Sequence, residues 1–186
     1  RVGLVTTVMP AIEDVNSTTV AGMVFTDLTA NHLEEIEDAN ADPNIVNFLS
    51  KTHMAKSAVI LSQFKQPCSV LQQGYEQILK RMTIIKGIDK TNVHSVEELI
   101  KIFDKLLKAF AKNPFNNKRR FVNLHSHDDT FIIDLFLAFQ LEPLLEATPG
   151  FQTENSLISK HLPAFKKSSN KRKLTENNRR SKRIKK

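Results

Sequence analysis

The chain has 186 residues, 27 Lys and Arg against 20 Asp and Glu, and a formal net charge of +7. That length allows one domain, or at most one and a half, and can bury a hydrophobic core without disulfides or metals. A single cysteine, Cys68, excludes an internal disulfide and any cysteine-based zinc site, and the longest apolar run, Phe131 to Phe139, is too short to span a bilayer.

Val2 to Val8 is β-branched enough for a strand, which Pro10 breaks. Ala11 to Leu28 mixes Thr, Val and Gly with no clean period. Glu34, Glu35, Glu37 and Asp38 lead into Asn40-Ala41-Asp42-Pro43, a loop signal. Residues 1–42 therefore read as a linker or a partial helical unit.

Asp42 suits an N-cap and Pro43 the first helical position. Ile45, Phe48, Leu49, Ala55, Val59, Ile60 and Phe64 then recur near helical spacing, until Pro67. A second helix is predicted from Ser69 to Lys86, with Leu71, Tyr75, Ile78, Leu79, Met82 and Ile85 on one face and Gly87 as its C-terminal cap. Ser95-Val96-Glu97-Glu98 is a capping box that opens a third helix, with Leu99, Phe103, Leu106 and Phe110 on one face and Asn113-Pro114 as its stop.

After the basic turn Lys118-Arg119-Arg120, a fourth helix is predicted from the Ser126–Asp129 region to about Leu141. Its run of Phe131, Ile132, Ile133, Leu135, Phe136, Leu137 and Phe139 leaves almost no polar face, which places it at the centre of the packing. A shorter helix covers Glu154 to His161. The expected core is Phe103, Phe110, Phe131, Ile132, Leu135, Phe136 and Phe139. These elements predict an all-α fold, with antiparallel helical hairpins across residues 43–163.

The charge is uneven. Residues 1–50 hold one basic and eight acidic side chains, residues 51–163 hold fifteen and eleven, and residues 164–186 hold eleven and one. Residues 164–186 thus read as a disordered basic tail. Lys171, Arg172 and Lys173 form one cluster, and Arg179, Arg180, Lys182, Arg183, Lys185 and Lys186 form another. Two basic clusters across a short polar spacer suit a bipartite nuclear import signal read by an import receptor. The same side chains can also hold the phosphates of DNA. Lys118, Arg119 and Arg120 are a weaker phosphate candidate, and a solvated turn is the simpler reading.

His125, His127, Asp128 and Asp129 are the one dense titratable cluster. Imidazoles and carboxylates are good metal ligands, but adjacent helical residues do not converge on one ion, and acidic residues in a first helical turn are explained by the helix dipole. No metal and no cofactor are assigned. His127-Asp128 could also be the proton-donor pair of a histidine acid phosphatase, although the Arg-His-Gly nucleophile motif of those enzymes is missing. Cys68, beside Pro67 at a helix start, reads as a buried cysteine and not a reactive one.

The stretch from Tyr75 to Lys167 resembles the C-terminal helical region of the Fanconi anaemia group D2 family. The resemblance is carried by Asp128-Asp129 through Phe139-Gln140-Leu141, then Leu157-Ile158-Ser159-Lys160-His161-Leu162-Pro163 and Lys166-Lys167, and more loosely by Ile85 to Asp89 and Leu107 to Lys112. It implies a HEAT-like α-solenoid at the end of a larger nuclear DNA-repair scaffold, non-enzymatic and acting in interstrand crosslink repair. Such a scaffold binds DNA with the Fanconi anaemia group I paralogue. It is ubiquitinated on a lysine outside this chain. The rival is a hydrolase fragment built on His127 and Asp128.

Overall fold

The computed structural model describes residues 16–38, 43–54, 58–75, 78–79, 81–115, 119–126 and 129–169. Val2 to Val8, Asp42, His127, Asp128 and the basic residues 171–186 lie outside them. Among the described residues the chain is mixed α/β, built on a seven-stranded antiparallel sheet, and the expectation of an all-α solenoid is overturned.

The elements run in order β1 (Ser17–Val20), β2 (Met23–Asp27), α1 (Ala30–Asp38), α2 (Pro43–Met54), β3 (Val59–Phe64), α3 (Ser69–Gln72), β4 (Thr83–Ile88), β5 (Thr91–Asn92) and α4 (Val96–Lys112). β6 (Phe121–Ser126), β7 (Thr130–Asp134), α5 (Leu135–Glu146), a 3-10 turn (Thr153–Asn155) and α6 (residues 157–169) follow. The strand order is β1-β2-β3-β4-β6-β7, with β5 paired to β4. β2 also pairs with β3, across α1 and α2 in the sequence.

Three segments account for the difference. Val59–Phe64, assigned to the first helix, is a strand whose Val59, Ile60 and Leu61 are all fully buried. Such a run is apolar on both faces, and periodicity alone does not separate it from a buried helix. Thr83–Ile88, which takes in the end of the second expected helix, is β4, and among the described residues only the single turn Ser69–Gln72 of that helix forms. Gly87 lies inside β4, where a Cβ would stand 2.8 Å from the Thr91 carbonyl oxygen, so the β4–β5 hairpin, not a helix cap, needs the glycine. Finally, Phe121–Ser126 and Thr130–Asp134 form a hairpin where the start of the fourth helix was expected. Its alternation is plain once the pairing is known: Val122, Leu124, Phe131 and Ile133 point inward, and Phe121 and Ile132 outward.

α4 forms as the capping box predicts. The Glu98 N–H donates to Ser95 Oγ at 3.2 Å, and the Glu98 carboxylate accepts from the His94 N–H at 2.9 Å. Val96, Leu99, Phe103, Leu107 and Phe110 lie on its buried face. α5 begins at Leu135, several residues later than expected, where Asp134 caps it by accepting from the Phe136 and Leu137 N–H groups. The core brings together Phe103, Phe110, Phe131, Leu135 and Phe139 as anticipated, whereas Ile132 sits on the outer face of β7 at 40% exposure and Phe136 is only partly buried. α6 passes through Pro163 and runs to residue 169.

Candidate functional site

The sheet places β2 between two neighbours. β3 lies on one side, and β1 on the other in the register Ser17↔Thr26, Thr18↔Phe25, Thr19↔Val24 and Val20↔Met23. Two residues, Ala21 and Gly22, join β1 to β2, both with positive φ (57° and 82°), the geometry of a tight hairpin turn. The turn is docked: the Gly22 carbonyl accepts from the Lys65 N–H at 2.7 Å and the Ala21 carbonyl from the Ser69 N–H at 3.2 Å.

α4 packs on both strands and forms a wall over them. The Phe25 and Phe103 rings stand 6.3 Å apart, and Val20, Met23, Leu99 and Phe103 belong to one buried cluster. Asp27, at the end of β2, accepts from the Val96 N–H at 2.8 Å and so fixes the start of α4. β1 therefore lies as an extended segment between a sheet strand and a helix. Val20 is fully buried and Thr18 is 2% exposed. Main-chain pairing of an extended segment along a sheet strand is the geometry by which strand addition captures peptides.

Residues 14–134 match the profile of the PDZ domain, which covers more than half of the chain. The chain belongs to the PDZ domain family. No curated protein matches it. A PDZ domain is a non-enzymatic protein-interaction module that binds partner peptides. Membership, together with the antiparallel sheet, overturns the resemblance to the Fanconi anaemia group D2 family and with it the crosslink-repair scaffold, and leaves the DNA partner and the group I paralogue without support. It gives the hydrolase reading no support.

The residues singled out in the sequence fall elsewhere. His127 and Asp128 are outside the described residues, as are Lys171, Arg172, Lys173, Arg179, Arg180, Lys182, Arg183, Lys185 and Lys186. His125 serves the PDZ sheet: Nε2 lies 2.7 Å from the Asp89 carbonyl oxygen and Nδ1 lies 2.9 Å from the Thr130 hydroxyl. The carbonyl only accepts, so Nε2 donates to it. Among the described residues no group of three His, Cys, Asp or Glu side chains could hold a metal ion. Arg120 is committed to Asp134, and Arg119 is exposed. Cys68 is buried, and burial pushes its thiol pKa up against the opposing pull of the Leu71 and Val70 backbone N–H groups, which suppresses the thiolate. Among the described residues no helix is long and apolar enough to cross a membrane.

The sequence reading missed Ser17 to Asp27. The signal was present: two short runs rich in Thr, Val and Phe, separated by two residues ending in Gly, mark a hairpin.

Proposed function

We propose that this PDZ domain takes an extended peptide segment by strand addition in the groove between β2 and α4, and that β1 occupies that groove as a built-in ligand. The observation that carries the reading is the seat of β1, paired along β2 with Val20 and Thr18 buried beneath the α4 wall. The far end of the sheet is less suited. There the Ile132 N–H of β7 reaches the Tyr75 hydroxyl at 3.4 Å, and α3 packs alongside.

A foreign peptide must displace β1, so the test loosens that strand. Thr18→Pro in the full chain removes a ladder donor from β1. The probe is a fluorescein-labelled peptide of residues 16–20, Asn-Ser-Thr-Thr-Val. The variant should bind it saturably and more tightly than the native chain, with amide shifts concentrated in Met23–Asp27 and α4. Binding that shifts β7 instead, or no binding by the variant, rejects the groove.

For the basic residues Lys171 to Lys186 we propose nuclear import, on the strength of their two-cluster spacing. A fluorescent fusion should lose nuclear accumulation when Lys171, Arg172 and Lys173 are changed to Ala. Unchanged accumulation rejects this role.

A further inference from the structure

The PDZ match stops at Asp134, and α5, the 3-10 turn and α6 follow it. This extension returns to β1. Thr19 and Ser156 form a parallel β-bridge, so β1 is paired on both edges. Beside the bridge, the Thr18 hydroxyl donates to the Asn155 carbonyl at 3.2 Å.

The bridging residue is itself anchored. Ser156 is fully buried, and its hydroxyl donates to the carboxyl of Glu142 on α5. The Ser159 hydroxyl donates to the same Glu142 oxygen at 2.6 Å. α6 then crosses to the helical wall of the groove. His161 Nε2 lies 2.8 Å from Asp104 Oδ1 on α4, and the Phe165 ring stacks on Phe139 at 4.7 Å and on Phe110 at 6.1 Å. The Ser168 hydroxyl reaches the Lys112 carbonyl at 3.3 Å. One segment thus grips both the strand in the groove and the helix that walls it.

We propose that residues 135–169 are a latch that holds β1 in the β2–α4 groove and so controls the entry of a foreign peptide. This rests on the reading of that groove as the peptide site. The physical reason is length. β1 spans four residues and is the terminal strand of the sheet, so one ladder gives it few main-chain hydrogen bonds. Among the described residues its outer edge is closed by Ser156 and not by another long strand. Loss of that contact leaves β1 held by one ladder and the turn, and local opening of such an edge costs less than global unfolding.

The experiment uses the full chain and two readouts: hydrogen exchange at the β1 amides, and anisotropy of the labelled peptide of residues 16–20. Ser156→Gly with Ser159→Ala cuts both hydroxyl ties to Glu142 while keeping a residue tolerated at the helix start. Exchange in β1 should rise at least tenfold with β3 and β4 unchanged, and peptide affinity should rise at least tenfold. A second variant, Thr19→Cys with Ser156→Cys, joins the bridged pair. Oxidation should slow β1 exchange and weaken peptide uptake at least tenfold relative to the reduced form. Unchanged β1 exchange in both variants overturns the latch. Faster β1 exchange with no peptide binding by any variant keeps the latch and rejects the groove. If the first variant unfolds, which appears as equal acceleration in β3 and β4, the cross-link decides: slower β1 exchange supports the latch and unchanged exchange overturns it.

Discussion

Arg120 and Asp134 close the β6–β7 hairpin with a forked ion pair, in which Arg120 Nε donates to both carboxylate oxygens at 2.9 and 3.1 Å and Nη2 to one of them. The guanidinium also lies 5.1 Å from the centre of the Phe121 ring and 5.5 Å from that of Phe136. Asp134 serves two elements at once, because the same carboxylate caps α5. It is the last residue of the PDZ segment and the first support of the extension.

The pH dependence of this pair has a definite sign. Burial alone would raise the Asp134 pKa, but Arg120 and the N–H groups of Leu137 and Phe136 outweigh it and hold the carboxyl below its usual range. A carboxyl depressed in the folded state contributes stability above its unfolded pKa and loses it as pH falls through the folded value. Asp134→Asn keeps a capping oxygen but loses the ion pair. With Arg120 partly exposed, the expected loss near neutrality is about 1–2 kcal/mol. Urea midpoints of the two chains should converge as the solution is acidified below the ordinary carboxylate range. A gap that persists there rejects the linkage.

Glu142 behaves in the opposite sense. Burial pushes its carboxyl pKa up, and repulsion from Glu146 adds to this, while hydrogen bonds from Ser156 and Ser159 pull back. A carboxyl raised in the folded state contributes stability below its unfolded pKa and loses it as pH rises through the folded value. Glu142→Gln keeps an oxygen to accept the serine hydroxyls and abolishes the titration. Thermal melts of the native chain should show stability falling from the ordinary carboxylate range upward, and the Gln variant should lack that fall. Parallel pH profiles would contradict the assignment.

How much of this was legible depends on what each residue had to satisfy. α4 was readable because its signals are local: Ser95 and Glu98 cap their own helix, and Leu99, Phe103 and Phe110 repeat at helical spacing. β3 was not, because Val59, Ile60 and Leu61 are apolar on both faces, and only their partners in β2 and β4 distinguish them from a buried helix. β7 was hidden by its junction with α5. Phe131 to Phe139 is one apolar run in the sequence, but Asp134 divides it into a strand and a helix by capping the second half. The groove was illegible for a related reason: Thr18 and Val20 acquire meaning only from β2, α4 and an extension more than a hundred residues away.

Thr26 offers a stabilising change. It lies on β2 between Ser17 and Ile60, is 1% exposed, and its hydroxyl has no hydrogen-bond partner among the described residues. A buried unpaired hydroxyl carries a desolvation penalty that an apolar group of the same shape does not. Thr26→Val should therefore gain about 1 kcal/mol. For a chain of this size that is a rise of about 2–4 °C in Tm. A lower Tm would mean that the hydroxyl has a partner in solution.

Gly22 is the most constrained position of the hairpin that brings β1 to the groove. Its φ of +82° is one that L side chains rarely adopt, and a Cβ there would stand 2.7 Å from Cys68 Cα and 2.9 Å from the Lys65 carbonyl oxygen. Both obstacles are main-chain atoms, so no rotamer change relieves them. Gly22→Ala pays the left-handed strain of about 1–2 kcal/mol and also forces the turn off the Lys65 and Ser69 N–H groups. Gly150 is the natural control: its φ is +77°, yet nothing lies within 4 Å of its Cβ position. Gly150→Ala should show the strain alone, with the hairpin intact, whereas Gly22→Ala should lose clearly more stability in urea melts and accelerate hydrogen exchange through Ser17–Val20. Equal losses at the two positions would show that the close packing of the turn on Cys68 contributes nothing.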